Sequence, residues 1–120
     1  MEEYKHCEVC GRLYPEKHHI VFKSQGGLDF FLNFKYLCVE HHKGKKSPHM
    51  CKKIDLEYKK ELQAKLKNKL IQDYYTENEL IKILELNRRQ VKKMCRKFLL
   101  YKEGYKTEYI IRRLMGGKLY

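Results

Sequence analysis

Between Cys7 and His42 the chain concentrates residues that bind metals and move protons. Cys7-x2-Cys10 and Cys38-x2-His41 form two ligand doublets with 27 residues between them. Four soft or borderline ligands arriving from two tight turns meet the needs of a tetrahedral structural zinc. The doublets enclose His18-His19, the turn Gly26-Gly27 and Asn33, and His42 directly follows the second doublet. The repeated two-residue gap favours His41 as the fourth zinc ligand, with His42 as the alternative. That choice leaves His18, His19 and His42 for other chemistry. Hydrolysis of a phosphodiester needs a base for water, a cation for the developing charge, and something to fix the base. Histidine can be that base near neutral pH. Neutral imidazoles can hold a divalent ion, and an asparagine amide can keep a loop or ring in register.

Several elements must position these groups. Lys17 to Lys23 contains β-branched and aromatic residues and reads as a strand. Gly26-Gly27 permits a positive-φ turn. Leu28 to Asn33 reads as a loop or short strand, and Tyr36 to His42 as the entry to a helix carrying the second doublet. From Asp55, a plausible N-cap, to Tyr74 the pattern is helical, with a slanting stripe of Tyr58, Leu62, Leu66, Leu70 and Tyr74. Lysines 59, 60, 65, 67 and 69 cover much of its other surface. Two capping boxes follow. Thr76-Glu77-Asn78-Glu79 opens a helix through Leu80, Ile83 and Leu84, and Asn87-Arg88-Arg89-Gln90 opens one with Val91, Met94, Cys95 and Phe98 on its apolar face. The link Glu85-Leu86-Asn87 is short, so the pair looks like a helix-turn-helix. Thr107 is placed to cap a last helix, which Gly116-Gly117 stops.

Composition limits what such a chain can be. Its 120 residues make one ordinary domain or two very small ones, and 42% apolar content is too high for a disordered chain. The formal net charge of +12 points to phosphate backbones or an anionic surface. Residues 1–54 carry a net +4 and residues 55–120 a net +8. No apolar run approaches the roughly 18 residues of a membrane span. The acidic, polar start Met1-Glu2-Glu3-Tyr4-Lys5-His6 speaks against a signal peptide. Five cysteines, an odd number with paired ligand spacing, favour a reduced compartment and zinc over disulfides. His6 and His49 read as surface residues, and the tyrosines and phenylalanines mostly as core.

Cys-x2-Cys, His-His-Ile, Ser24-x-Gly26-Gly27, Asn33 and Leu37-Cys38-x2-His41-His42-Lys43, in that order, resemble the HNH endonucleases and their ββα-metal finger. The resemblance covers Cys7 to Lys46, about a third of the chain. It implies that His19 is the general base, that His18 and His42 hold a catalytic cation, and that Asn33 orients the base and braces the loop. The implied cation is Mg²⁺ or another divalent ion such as Mn²⁺ or Ni²⁺, beside the structural Zn²⁺. The implied products carry a 5′-phosphate and a 3′-hydroxyl. Many members carry Asp where His18 stands, and a proline soon after the base where this chain has Val21-Phe22. An imidazole pair is softer than a site with a carboxylate and suits transition ions.

The expected fold is α+β: a zinc-stabilised ββα-metal (HNH) finger over residues 1–54, a connecting helix over 55–74, and a mainly α-helical, helix-turn-helix-like DNA-binding region over 75–120. Arg88, Arg89, Lys92, Lys93 and Arg96 would meet DNA from the second helix of that pair, since arginine there can reach guanine in the major groove. Lys43, Lys45 and Lys46 read either as solvated charges or as phosphate contacts beside the cut. The expected activity is metal-dependent endonucleolytic cleavage of double-stranded DNA by a monomer or homodimer. One site cuts one strand, so a monomer would nick. Compact nucleases of this layout resemble phage-encoded or homing-type enzymes, which implies the cytoplasm of a bacterial or phage-infected host cell. A noncatalytic zinc-finger and helix-turn-helix DNA-binding protein, or an RNA-directed nuclease, are the alternatives.

Overall fold

The first half is organised by a short antiparallel pair, β1 (Glu16–His19) and β2 (Phe34–Leu37), with His18 opposite Lys35 and His19 opposite Phe34. The structure, a computed structural model, describes residues 5–120, so the start Met1 to Tyr4 lies outside it. Successive strand residues face opposite sides. Here His18 turns inward, 2% exposed, while the His19 side chain keeps 24% of its surface in solvent. The strand is shorter than the Lys17–Lys23 run suggests, because the backbone beyond it is bonded elsewhere. Val21 N–H donates to Asn33 Oδ1 (2.8 Å), and Val21 C=O accepts from Asn33 Nδ2 (3.1 Å). Single turns of 3-10 helix at Lys23–Gln25 and Phe31–Asn33 then bracket the loop. Gly27 lies so close to Val21 that a Cβ there would sit 1.9 Å from the Val21 carbonyl oxygen. Helix α1 (Val39–Lys43) follows β2 and carries His41 and His42.

Helix α2 runs from Lys52 to Lys69, with Cys51 rather than Asp55 in the N-cap position. Asp55 lies one turn inside, where its carboxylate bonds Lys59 Nζ at 2.6 Å. That pairing lets Lys59 be 2% exposed, against the expectation of a solvated charge. A buried ammonium persists only when paired. The expected stripe holds for Leu62, Leu66 and Leu70, which are buried, with Tyr58 partly so. Tyr74 leaves the helix and belongs to β3 (Tyr74–Tyr75), which pairs with β4 (Tyr105–Lys106).

Both capping boxes form. Thr76 caps α3 (Glu77–Leu84) and Asn87 caps α4 (Arg88–Cys95), each exchanging hydrogen bonds with the residue three positions on. The turn between them is closed by Glu85 at a left-handed φ of 54°. Helix α5 (Thr107–Leu114) takes Lys106 as its N-cap, because the Thr107 hydroxyl donates to the Gln72 carbonyl instead. Beyond α5, Gly116 (φ 83°) and Gly117 (φ 95°) turn the chain.

The two halves share one core. Ile20, Val21 and Phe30 from the β1–β2 region are buried in the same cluster as Leu62, Leu66, Leu80, Val91 and Ile110. Full burial of such side chains contributes roughly 1.5–3 kcal/mol each. A second, much smaller cluster among the described residues holds Cys7, Leu37 and Cys38, with Tyr58 against it. The main core crosses the ranges 1–54, 55–74 and 75–120, and the elements do not break at those bounds: α2 begins at Lys52 and β3 spans Tyr74–Tyr75. Among the described residues, no helix is long and apolar enough to cross a membrane.

Candidate metal centres

The sulfur-rich group is assembled from the turn at Cys7–Cys10 and the start of α1. Cys7 Sγ lies 3.7 Å from His41 Nδ1, Cys38 Sγ 3.2 Å from the same nitrogen, and Cys10 Sγ 3.8 Å from Cys38 Sγ. Ligands about 2.0–2.3 Å from one tetrahedral ion stand roughly 3.3–3.8 Å apart, so these spacings fit zinc. All five cysteines are free thiols, and these four ligands could together hold a metal ion. Burial raises the Cys7 thiol, but the amides of Cys38, Cys10 and Val9 outweigh it and bring its pKa down to about 6. The His41 amide and imidazole lower Cys38, and His41 is raised in turn by the Cys38 and Cys7 sulfurs. Cys10 moves the other way. The Arg12 amide lowers it, but burial and the neighbouring Cys7 and Cys38 sulfurs raise it. Sulfurs crowded in this way repel as thiolates, and a shared dication would relieve that repulsion.

The nitrogen-rich group is made by His18 from β1, His42 from α1 and His49 from the turn before α2; it too could hold a metal ion. His49 was expected as an ordinary surface residue. Its surface is exposed, yet its ring centroid is 5.0 Å from that of His18 and 4.8 Å from that of His42. The turn at Ser47-Pro48, where Cys51 N–H donates to Ser47 C=O, folds it back, and Phe22 stacks on its ring at 5.0 Å. The only sequence signal was another histidine seven residues after His42, across a turn. His42 Nε2 and His49 Nε2 are 3.1 Å apart, close to the spacing of two imidazole nitrogens on one ion. His18 Nε2 is buried and has no hydrogen-bond partner among the described residues. Burial first, then the neighbouring His42 and His49 rings and the Lys59 ammonium, lower the His18 pKa to about 3, which keeps its ring neutral and its nitrogen open to a cation.

Two carboxylates missed in the sequence orient this chemistry. Glu16 Oε1 lies 2.8 Å from His42 Nδ1, and that bond, with Lys43 beside it, lowers the Glu16 carboxyl. A carboxylate accepts only, so His42 carries its hydrogen on Nδ1 and presents Nε2 to the cluster. Glu16 stands two residues before His18 on the same strand, and that spacing was the available signal. Asp29 Oδ1 lies 2.7 Å from His19 Nε2 and is lowered by it, with Lys23 assisting. The same reasoning puts the His19 hydrogen on Nε2 and leaves Nδ1 as the basic lone pair. Asn33 is fully buried; its side chain bonds Val21 N–H, Val21 C=O and Leu28 C=O (2.9 Å). It braces the loop that carries Asp29, and its own C=O accepts from Ile20 N–H next to His19.

The basic residues separate into groups. His18, His19, His42 and His49 open into one cleft with Lys17, Lys23 and Lys43. Lys43 also lies 3.7 Å from Glu16, while Lys45 and Lys46 are exposed. Arg89, Lys92, Lys93 and Arg96 line a second cleft along α4. Arg88 is turned away from them, donating to Glu77 (2.7 Å) and Asn78 (2.8 Å) and so tying α4 to α3. Comparison with protein-family models, with curated proteins and with solved structures finds no match to this chain.

Proposed function

We propose that the chain is a metal-dependent endonuclease of the HNH type that hydrolyses phosphodiester bonds in double-stranded DNA. One observation carries the reading: an oriented histidine, His19 on Asp29, stands on the strand residue next to a three-imidazole cluster in one open cleft. His18, His42 and His49 would hold a divalent cation, and zinc would occupy the four-ligand group. The bound cation would supply charge stabilisation for the phosphoryl and leaving oxygens. Three nitrogen ligands favour Mn²⁺, Ni²⁺ or another transition ion over Mg²⁺. His19 Nδ1 takes a proton from water as the water oxygen bonds to phosphorus. The bond from phosphorus to the 3′ oxygen breaks, that oxygen takes a proton from solvent, and the phosphate stays on the 5′ end. Asp29 keeps the imidazole in its working tautomer and steadies the imidazolium that forms. A noncatalytic zinc protein would leave the His19–Asp29 pair and the second cluster without use.

The α3–α4 pair would place the enzyme on duplex DNA through Arg89, Lys92, Lys93 and Arg96, with Lys43 near the cut. Supercoiled plasmid incubated with the chain and Mn²⁺, Ni²⁺ or Mg²⁺ tests the activity. Nicking that depends on the ion and falls about 10²–10⁴-fold in His19→Ala supports it. Equal behaviour of parent and variant, both zinc-loaded, would sink it.

A further inference from the structure

Three clefts follow one another across the joint between the two halves, and single residues belong to two of them. Lys23 lines both the histidine cleft and a middle cleft, where it meets Asp29, Gln90 and Arg113. Lys93 lines both that middle cleft and the basic cleft on α4. The shared lysines make the three into one track from the histidines to the outer face of α4. Asp29 is the acidic group along it, and its carboxylate is engaged by His19 at 2.7 Å and Lys23 at 3.6 Å. The track is otherwise cationic or neutral, as a surface that follows a phosphate backbone must be.

The track is also held in one register. Arg113 Nη1 donates to Gly26 C=O at 2.8 Å, tying α5 to the loop of the histidine site. Gly116 packs so tightly there that a Cβ would fall 2.4 Å from Gln25 C=O. Ile20, Val21 and Phe30 share their core with Val91 and Met94 of α4. No pliable linker separates address from site.

We infer that one stretch of duplex DNA lies along this track, its backbone held by Lys23 and Arg113 between the histidine cleft and α4, so that cleavage falls at a fixed offset from the base pairs α4 contacts. The inference rests on the proposed nuclease reading for the cut, but the binding path stands by itself. Neither Lys23 nor Arg113 belongs to the recognition helix or to either ligand cluster.

The test uses the full zinc-loaded chain carrying His19→Ala, binding a 30-base-pair duplex over a range of salt concentrations. Lys23→Gln and Arg113→Gln should each weaken binding and reduce the salt slope by about one. Lys60→Gln, an exposed change outside all three clefts, should leave the slope unchanged. Circular dichroism of both variants controls for loss of the Gly26 contact of Arg113 and of the exposed Lys23–Asp29 pair. Slopes equal to the parent's in both variants overturn the path, even if plasmid nicking is robust. Reduced slopes, together with a parent chain that keeps His19 and never nicks plasmid with any of the ions, overturn the nuclease reading and leave the path standing. With an active chain, cut sites spread over many offsets from one bound sequence overturn the fixed register.

Discussion

The two candidate ligand clusters differ in the number and kind of ligands and in their exposure. Cys7, Cys10, Cys38 and His41 are four ligands in a closed set, three of them sulfur. His18, His42 and His49 offer three nitrogens along an open cleft, a set that would leave positions on a bound ion free for further ligands. His41 and His42 are adjacent on α1, yet they serve different clusters. Consecutive helical side chains point about 100° apart, so one short helix can feed both. The clusters also rest on different supports. Among the described residues the sulfur group is buried with Leu37 and has Tyr58 packed against it, whereas the loop leaving β1 after His18 and His19 is anchored in the main core through Ile20 and Val21. The first cluster should therefore hold its region together, and the second should be held by a region already folded.

Removing a sulfur ligand gives the largest expected effect. Cys7→Ser should fail to hold zinc and unfold the β1–β2 and α1 region, a cost on the order of 5 kcal/mol or more. Metal content by emission spectrometry and urea unfolding would check it. Retention of one equivalent of zinc with an unchanged midpoint would remove the structural role. His42→Ala should instead keep zinc and fold while losing the second ion. His49→Ala should keep zinc and bind Mn²⁺ or Ni²⁺ at least about 10-fold more weakly, by calorimetry. If His49→Ala titrates like the parent, the cluster is a pair and His49 is a bystander.

The carboxylates sharpen the contrast within the cleft, with smaller effects. Glu16→Gln should weaken the second ion about 10-fold, since the ring it orients is a proposed ligand. Asp29→Asn should leave ion affinity alone and reduce the turnover of nicking, since the ring it orients is the proposed base. A drop in ion affinity for both, or for neither, would erase the division between a ligand-orienting and a base-orienting carboxylate.

Local chemistry made much of this legible in the sequence. Each ligand doublet, both capping boxes and the glycine turn after α5 depend on residues within a few positions of one another, and the repeated spacing of the two doublets signalled that they meet. What was missed depends on distant partners. Lys59 reads as a surface lysine until Asp55 is seen beside it in a buried setting. Asp29 and His49 gain their places only when a loop and a turn fold back onto β1. The strand ended early because Asn33, twelve residues on, took the Val21 backbone groups. Arg88 appeared free for DNA because Glu77 and Asn78 are brought to it only by the packing of α3 on α4.

The smallest expected effect separates the clusters by acid response. His18 has its pKa lowered to about 3 by burial and by the positive groups around it, against an unfolded value near 6.5. The unfolded chain therefore binds a proton that the folded one refuses between those values. Stability is unaffected by this group above about pH 6.5 and falls as the pH drops toward 3, by at most about 1.4 kcal/mol per pH unit. The sulfur cluster adds its own acid sensitivity, because protons compete with zinc for its ligands. Comparing parent with His18→Gln cancels that shared contribution. In zinc-loaded protein without a second ion, urea midpoints between pH 7 and 5 should fall less steeply in the variant. Equal slopes would mean that water reaches His18 Nε2 and that the ring titrates normally. The second cluster would then lack the pre-formed neutral ligand that sets it apart from the first.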